Sequence, residues 1–155
     1  MPVAIANRFP AIRPDRAEVR RLVAGVLRME GRAGEDVTVV LADDAFLRDL
    51  NRRFRKLDKT TDVLSFEPQP GDFPGDDGMP GEIYVSMDRV RVQARRYRVS
   101  QPAELARLLV HGALHVLGHD HDREPRRGAM RRRERECLKA LHRASRPLFR
   151  PVPAR

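Results

Sequence analysis

Short apolar, β-branched segments alternate with amphipathic helical segments along this chain, and this alternation limits the fold more than any other feature. Segments of five to seven residues that are rich in apolar and β-branched side chains predict four strands, at 3–9, 36–41, 62–66 and 82–86. Apolar residues spaced three and four apart predict five helices, at 14–31 (or to Gly34), after Asp43 or Asp44, 88–98, 102–117 and 123–144. The sequence therefore predicts an α/β (α+β) fold, in which a four-stranded mixed sheet packs with about five helices.

The length of the chain, 155 residues, is typical of one domain, and we expect a single domain over 1–145. The segment from Pro68 to Pro80 holds four prolines and three glycines, and it is predicted to be a loop between two strands. The last ten residues, 146–155, hold three prolines and are predicted to form a frayed basic tail.

Composition excludes several classes of protein. Charged residues make up 34% of the chain, and no apolar run approaches the ~18 residues of a membrane-spanning helix. The single cysteine, Cys137, excludes a disulfide within the chain and a cysteine-rich zinc site. We expect a cytoplasmic protein without a membrane partner.

The net charge of +9 is concentrated at one end of the chain. Residues 123–155 include 12 basic and 3 acidic side chains, so this segment carries the whole excess. A basic stripe of this kind attracts polyanions, above all nucleic acid. The alternative is a merely solvated face, since 28 of the 31 basic residues are arginine and arginine is common throughout.

Four of the five histidines lie between 111 and 121, and their spacing predicts a metal site. His111 and His115 are four residues apart, so both rings project from one face of a helix. Gly118 can take the left-handed conformation that ends a helix, which would let His121 approach the same ion. Three imidazoles with a fourth position for water are typical of a catalytic site, and zinc is favoured over nickel, iron or manganese.

Two polar residues beside this triad are predicted to support it. His119 is out of phase with His121, and it is interpreted as a cleft-wall or metal-supporting side chain. Asp120 is predicted to cap the turn or to orient a ligand imidazole.

The spacing of the histidines resembles the zincin-like motif H-E-x-x-H-x-x-G-x-x-H of the metzincin peptidases. In those enzymes the glutamate is the general base, whereas Gly112 occupies that position here. A peptidase activity is therefore disfavoured, although the predicted metal helix remains zincin-like.

Three blocks of sequence together resemble the YbeY endoribonuclease family. Residues 111–121 resemble its signature H-G-x-L-H-L-x-G-Y-D-H, and residues 81–86 are similar to its strand G-[DE]-I-x-I-S. Residues 50–66 resemble its pattern L-N-x-x-[YF]-R…T-[DN]-V-L-S-F. The match runs in register from about Leu41 to Leu141. His119 replaces the usual tyrosine, Glu82 stands where aspartate is more common, and the last helix is basic where the family is often acidic.

The resemblance implies a zinc-dependent, single-strand endoribonuclease that acts in 16S rRNA maturation and ribosome quality control. It implies one Zn²⁺ per chain, held by His111, His115 and His121, and a functional arginine at Arg55. The implied partners are ribosomal RNA and the small ribosomal subunit. Candidate RNA-binding residues are the arginines of the last helix: Arg126, Arg127, Arg131, Arg132 and Arg133.

Other interpretations stay open from the sequence alone. Arg55 could be a solvated arginine among basic neighbours, and Asn51 could hold the following loop through side-chain bonds. Phe46, Phe54 and Phe66 are interpreted as core residues rather than base-stacking platforms. The two rival functions are a non-catalytic, zinc-stabilised ribosome-assembly factor and a metal-dependent hydrolase of a substrate other than RNA.

Overall fold

A computed structural model describes residues 3–119 and 126–153, with the side chains of residues 126 and 127 outside the description. Over these residues the chain forms six strands and five helices. The strands are β1 (Val3–Asn7), β2 (Ile12–Pro14), β3 (Val37–Ala42), β4 (Val63–Phe66), β5 (Gly81–Ser86) and β6 (Phe149–Pro151). The helices are α1 (Arg16–Met29), α2 (Asp44–Arg55), α3 (Met87–Tyr97), α4 (Gln101–Val116) and α5 (Arg126–Leu141).

The main sheet has four strands in the order β1-β3-β5-β4. The strands β1, β3 and β5 are parallel, whereas β4 runs antiparallel to β5 and forms one edge. The predicted α/β fold with a four-stranded mixed sheet and five helices is therefore confirmed for the described residues.

The two faces of this sheet are covered differently. One face packs against α1 and α4 in the main core, where Ile83 and Val85 of β5 meet apolar residues such as Leu109 and Ala113 of α4. The other face is covered in part by α2, through a smaller cluster that includes Leu47, Leu50 and Leu64. Because α2 is a single short helix, it leaves the aromatic side chains near the β4 edge half-buried.

The side chain of Phe54 is 63% exposed, so its interpretation as a core residue is wrong. Phe46 and Phe66 are partly buried against the smaller cluster. Phe54 lies in the last turn of α2, next to the edge strand β4, where no further strand covers it in the described sheet.

The prediction of a frayed tail over 146–155 is also wrong for the residues that the structure describes. β6 pairs antiparallel with β2, and Ile12 lies opposite Pro151. Leu148 and Phe149 are buried in the main core, which explains why this proline-rich segment is ordered. Proline has no backbone N–H and is therefore tolerated in edge strands, where one side makes no hydrogen bonds to a neighbouring strand. β6 is an edge strand, because its sheet has only two strands.

Several helix ends follow the predicted capping residues. The side chains of Asp43 and Ser100 accept hydrogen bonds from backbone N–H groups at the starts of α2 and α4. α4 ends at Val116, and Gly118 has φ +92°, as predicted for the residue that stops this helix. The predicted cap of the last helix, Asp122, lies outside the described residues. No helix among the described residues is long and apolar enough to span a membrane.

Candidate active-site cleft

A cleft of about 430 Å³ lies between the C-terminal part of α4 and the segment that joins α2 to β4. α4 contributes His111 and His115, and α2 contributes Asn51 and Arg55. The remaining wall is formed by the connecting segment and β4, namely Leu57, Lys59, Thr60, Thr61, Asp62, Val63, Leu64 and Ser65. The fold thus brings together the first two predicted metal ligands and the predicted functional arginine.

The two histidines lie one helical turn apart and face the same cleft. Their ring centroids are 4.8 Å apart and the ring planes are tilted by 55°. The carboxylate of Glu134 on α5 contacts Nδ1 of His111. A carboxylate at Nδ1 fixes the proton on that nitrogen, so Nε2 of His111 is the nitrogen suited to a metal.

This donor set fits a transition metal. Neutral imidazole nitrogens are typical zinc ligands, and a carboxylate behind one of them is a common supporting contact. Residues 3–119 and 126–153 hold no converging group of three or more metal-ligating side chains. The third predicted ligand, His121, and the predicted supporting residue Asp120 both lie outside the described residues.

His119 contacts α1. Its Nε2 lies 3.0 Å from Oε2 of Glu30, and Arg133 on α5 binds the other oxygen of the same carboxylate. Burial opposes ionisation of Glu30, but the hydrogen bonds from Arg133 and His119 outweigh it, so the pKa of Glu30 is below its ordinary value. His119 is therefore anchored beside α1 and α5, and the lining of the cleft is formed by other residues.

Arg55 is the last residue of α2 and extends along β4 at the mouth of the cleft. Its guanidinium donates a hydrogen bond of 3.1 Å to the carbonyl oxygen of Ser65. Its Cζ lies 5.7 Å from the ring centroid of Phe66, which is within cation–π range. These two contacts orient an exposed arginine toward the same cleft as the histidines.

Asn51 holds the loop that follows α2. Its side-chain nitrogen donates to the carbonyl of Lys59 at 2.9 Å, and its backbone carbonyl accepts from Leu57. Asn51 is buried, so these bonds are shielded from water. The interpretation of Asn51 as a loop-holding residue is confirmed.

Gly112 lies where α4 crosses the sheet. A Cβ at this position would lie 2.6 Å from Cγ2 of Ile83 and 3.2 Å from the hydroxyl of Ser65, which donates to the carbonyl of Gly112. The position that the glutamate has in the metzincin motif is therefore packed against β4 and β5 in this chain. A catalytic carboxylate has no room here, which gives a physical reason for the departure from the peptidase motif.

We expect Gly112→Ala to lower the free energy of unfolding by about 1–3 kcal/mol, because overpacking against Ile83 outweighs the better helix propensity of alanine. Urea denaturation measures this change. Gly34→Ala is the matched control, since a Cβ at Gly34 meets nothing within 4 Å. Equal stabilities of the two variants would contradict the close packing at Gly112.

The candidate RNA-binding arginines of α5 have different surroundings. Arg131 and Arg132 are exposed. Arg133 binds Glu30 and the carbonyl of Met29, and it forms an ion pair of 2.7 Å with Glu136. The side chains of Arg126 and Arg127 lie outside the description. Among the described arginines of this set, Arg131 and Arg132 are thus the ones available to a partner.

Glu134 is a site residue that the sequence analysis missed. The buried residues Met130, Cys137 and Leu141 mark the inward face of α5, and Glu134 is four residues after Met130 on the same face. A carboxylate on an apolar helix face needs a buried partner. A glutamate on the apolar face of this helix was therefore the signal in the sequence that could have identified Glu134 as a site residue. Its partner is His111.

Comparison with known proteins agrees with this architecture. A family model described as endoribonuclease YbeY matches residues 5–142. An endoribonuclease YbeY of Pelotomaculum thermopropionicum is 39% identical over 149 residues, which cover 92% of this chain and 98% of the relative. An endoribonuclease YbeY of Roseiflexus castenholzii is 44% identical over 145 residues, which cover 90% and 91% of the two chains.

A solved structure shows the same fold. The solution structure of TM1509 from Thermotoga maritima matches with a TM-score of 0.56 and 23% identity, over 89% of this chain and 90% of that one. The architecture and the curated relatives together define a class, the single-domain α/β endoribonucleases. Within that class, the chain belongs to the endoribonuclease YbeY family, as its three sequence blocks predicted.

Proposed function

We propose that this chain is a zinc-dependent endoribonuclease that cleaves single-stranded RNA during 16S rRNA maturation and ribosome quality control in the cytoplasm. The observation that carries the proposal is the meeting of two imidazoles and an arginine in one cleft. The proposed partners are ribosomal RNA and the small ribosomal subunit.

The proposed ligands of one Zn²⁺ per chain are His111, His115 and His121. A zinc ion held there supplies Lewis acidity toward a phosphoryl oxygen. Glu134 contacts Nδ1 of His111 and would hold the proton there, which would leave Nε2 of this ring as the nitrogen for the ion. Gly112 lets α4 pack closely against β4 and β5.

Arg55 is proposed to bind the scissile phosphate. A guanidinium carries five N–H donors in a planar fork, and one of those of Arg55 is used on Ser65. The others suffice for a two-pronged grip on phosphate oxygens, which neutralises the charge that develops during cleavage. The ring of Phe66 beneath the guanidinium limits the directions in which this fork can point.

The direct test is cleavage of single-stranded RNA by purified protein, with a duplex of the same sequence as a second substrate. We expect cleavage of the single strand, loss of activity with a chelator and its return with added zinc. His115→Ala should be inactive, and His142→Ala is the matched control because His142 lies after α5, outside the cleft.

Other results of the same test support the rival functions. RNA binding without cleavage in the presence of zinc would favour the assembly factor. Zinc-dependent hydrolysis of a simple phosphodiester without cleavage of RNA would favour a different substrate.

The arginines of α5 are proposed to contact RNA phosphates through Arg131 and Arg132. Replacing both by glutamine should reduce the slope of log affinity against log salt by about 0.7 for each lost contact with a single strand. Fluorescence anisotropy over a salt series, with chelator present to prevent cleavage, measures this slope. The matched control is the exposed pair Arg95 and Arg96 on α3. An unchanged slope would mean that this face of α5 is solvated or binds a protein.

A further inference from the structure

A second, smaller pocket of about 240 Å³ lies near Arg55, on the face of the sheet that α2 covers in part. It lies between the last turn of α2, the strands β4 and β5, and the loop that joins those strands. Its apolar lining consists of Leu50, Phe54, Phe66, Met79, Pro80 and Tyr84. This volume is slightly below the range typical of drug-sized ligands, which suits one flat ring system.

Aromatic rings in mutual contact form one wall of this pocket. The centroids of Phe54 and Phe66 are 5.8 Å apart, and those of Phe66 and Tyr84 are 5.9 Å apart, both in edge-to-face geometry. Although Phe54 belongs to this wall, it is 63% exposed, and Met79, which also lines the pocket, is 58% exposed. Large apolar side chains exposed around a concavity mark a binding surface rather than a core.

Arg55 connects this pocket to the cleft. It follows Phe54 in α2, its guanidinium lies over the ring of Phe66, and it lines the cleft that holds His111 and His115. If Arg55 binds one phosphate of an RNA strand, the adjacent nucleotide would therefore lie at the aromatic wall. The two concavities share no lining residue, and the contact of Arg55 with Phe66 is the link between them.

The polar groups of the pocket select what can enter it. Glu67, Glu82 and Gln69 are the polar lining residues, and the hydroxyl of Tyr84 donates to the carboxylate of Glu82. Carboxylates repel a phosphate, but they accept hydrogen bonds from the amino groups of adenine, cytosine or guanine. The carboxylate of Glu82 has two oxygens, so it can accept from a base as well as from Tyr84.

We propose that this pocket binds one nucleobase of single-stranded RNA, stacked on Phe54, while the adjacent phosphate lies on Arg55. The inference rests on the proposed function and adds a base-binding position to it. Stacking of unpaired bases on aromatic side chains is the usual way in which proteins hold single-stranded RNA. It also gives a reason for discrimination against a duplex, whose bases are not available for stacking.

The test compares variants of Phe54 in the full-length protein as purified. The probe is a short 2′-O-methyl oligoadenylate, checked by gel to remain intact, and binding is measured by fluorescence anisotropy. Phe54→Ala should weaken binding about tenfold, within the range for the loss of one stacked base. The slope against salt should not change, because no phosphate contact is lost. Phe73→Ala is the matched control, since Phe73 is 67% exposed and lies outside both concavities.

Two further variants separate stacking from simple apolar contact. Phe54→Trp should bind as tightly as the original protein or more tightly, whereas Phe54→Leu should be as weak as Phe54→Ala. Equal binding by Phe54→Leu and the original protein would indicate an apolar contact, such as one with a protein partner, and would overturn the proposal. Oligouridylate should bind more weakly than oligoadenylate, because uracil lacks an exocyclic amino group.

Cleavage kinetics keep this inference distinct from the proposed function. With cleavable RNA, Phe54→Ala should raise KM with little change in kcat, since the base lies outside the reacting phosphate. If the original protein cleaves RNA and Phe54→Ala does so with the same KM and affinity, the base pocket is refuted and the proposed function stands. If the original protein neither binds nor cleaves single-stranded RNA, both are refuted.

Discussion

Arg55→Ala is expected to slow RNA cleavage about 100- to 1,000-fold, equivalent to about 3–4 kcal/mol of barrier, because it removes the group proposed to stabilise the charge that develops on the phosphate. Metal content should stay unchanged, since a guanidinium is not a metal ligand. The side chain is exposed and makes one hydrogen bond to a carbonyl, so the melting temperature should change little. Single-turnover cleavage, elemental analysis and thermal unfolding measure the three quantities.

Neighbouring residues supply the controls for Arg55. Arg55→Lys should restore little activity, because an ammonium group cannot make the two-pronged contact. Arg52 and Arg53 lie one turn or less from Arg55 and form ion pairs with Asp49, so their alanine variants should stay largely active. A cleavage rate of Arg55→Ala equal to that of the original protein would show that this arginine is only a solvated helix-end residue.

Protein purified without a histidine tag is expected to hold about one equivalent of transition metal, and His115→Ala should lose most of it. Two imidazoles cannot keep the affinity of three, because each ligand contributes to a coordination shell that zinc fills with four donors. Elemental analysis measures the content directly. Stoichiometric metal in a double His111→Ala, His115→Ala variant would refute a site on α4.

Substitution of Glu134, which contacts His111, is expected to weaken metal binding without removing a ligand. Glu134→Gln should weaken zinc binding about 10- to 100-fold, as is typical when the carboxylate behind a ligand histidine is lost. Competition with a chromophoric chelator measures this affinity without reference to RNA cleavage. Glu136→Gln is the matched control, because Glu136 lies on the same helix and forms an ion pair with Arg133 instead. Equal zinc affinities of the two variants would show that Glu134 does not support the metal ligand.

The parts of the fold that the sequence predicted well are those set by local patterns. Helical periodicity and capping side chains located the starts of α2 and α4, and Gly118 marked the end of α4 because few other residues tolerate its backbone conformation. The pair His111 and His115 followed from the helical repeat, which places them on one face.

The features that were missed depend on contacts between distant segments. Phe54 has the spacing of a core residue, but the sheet ends at β4, and sequence periodicity does not show where a sheet ends. Likewise, nothing in the sequence near Arg133 indicates that Glu30 binds it. The strands β2 and β6, which pair with each other, are too short and too rich in proline to be recognised as strands from the sequence. Each of these depends on which segments become neighbours after folding.

The pairing of β2 with β6 has a consequence for folding during synthesis. β2 leaves the ribosome early, yet its partner, which brings Leu148 and Phe149 to the core, is translated more than a hundred residues later. A domain folds as a unit, and Leu148 and Phe149 belong to the main core, so this core cannot be completed until the strand has been synthesised. A chain released before residue 148 would lack Leu148 and Phe149. It would expose the apolar surface that these two side chains cover and would become a substrate for proteases.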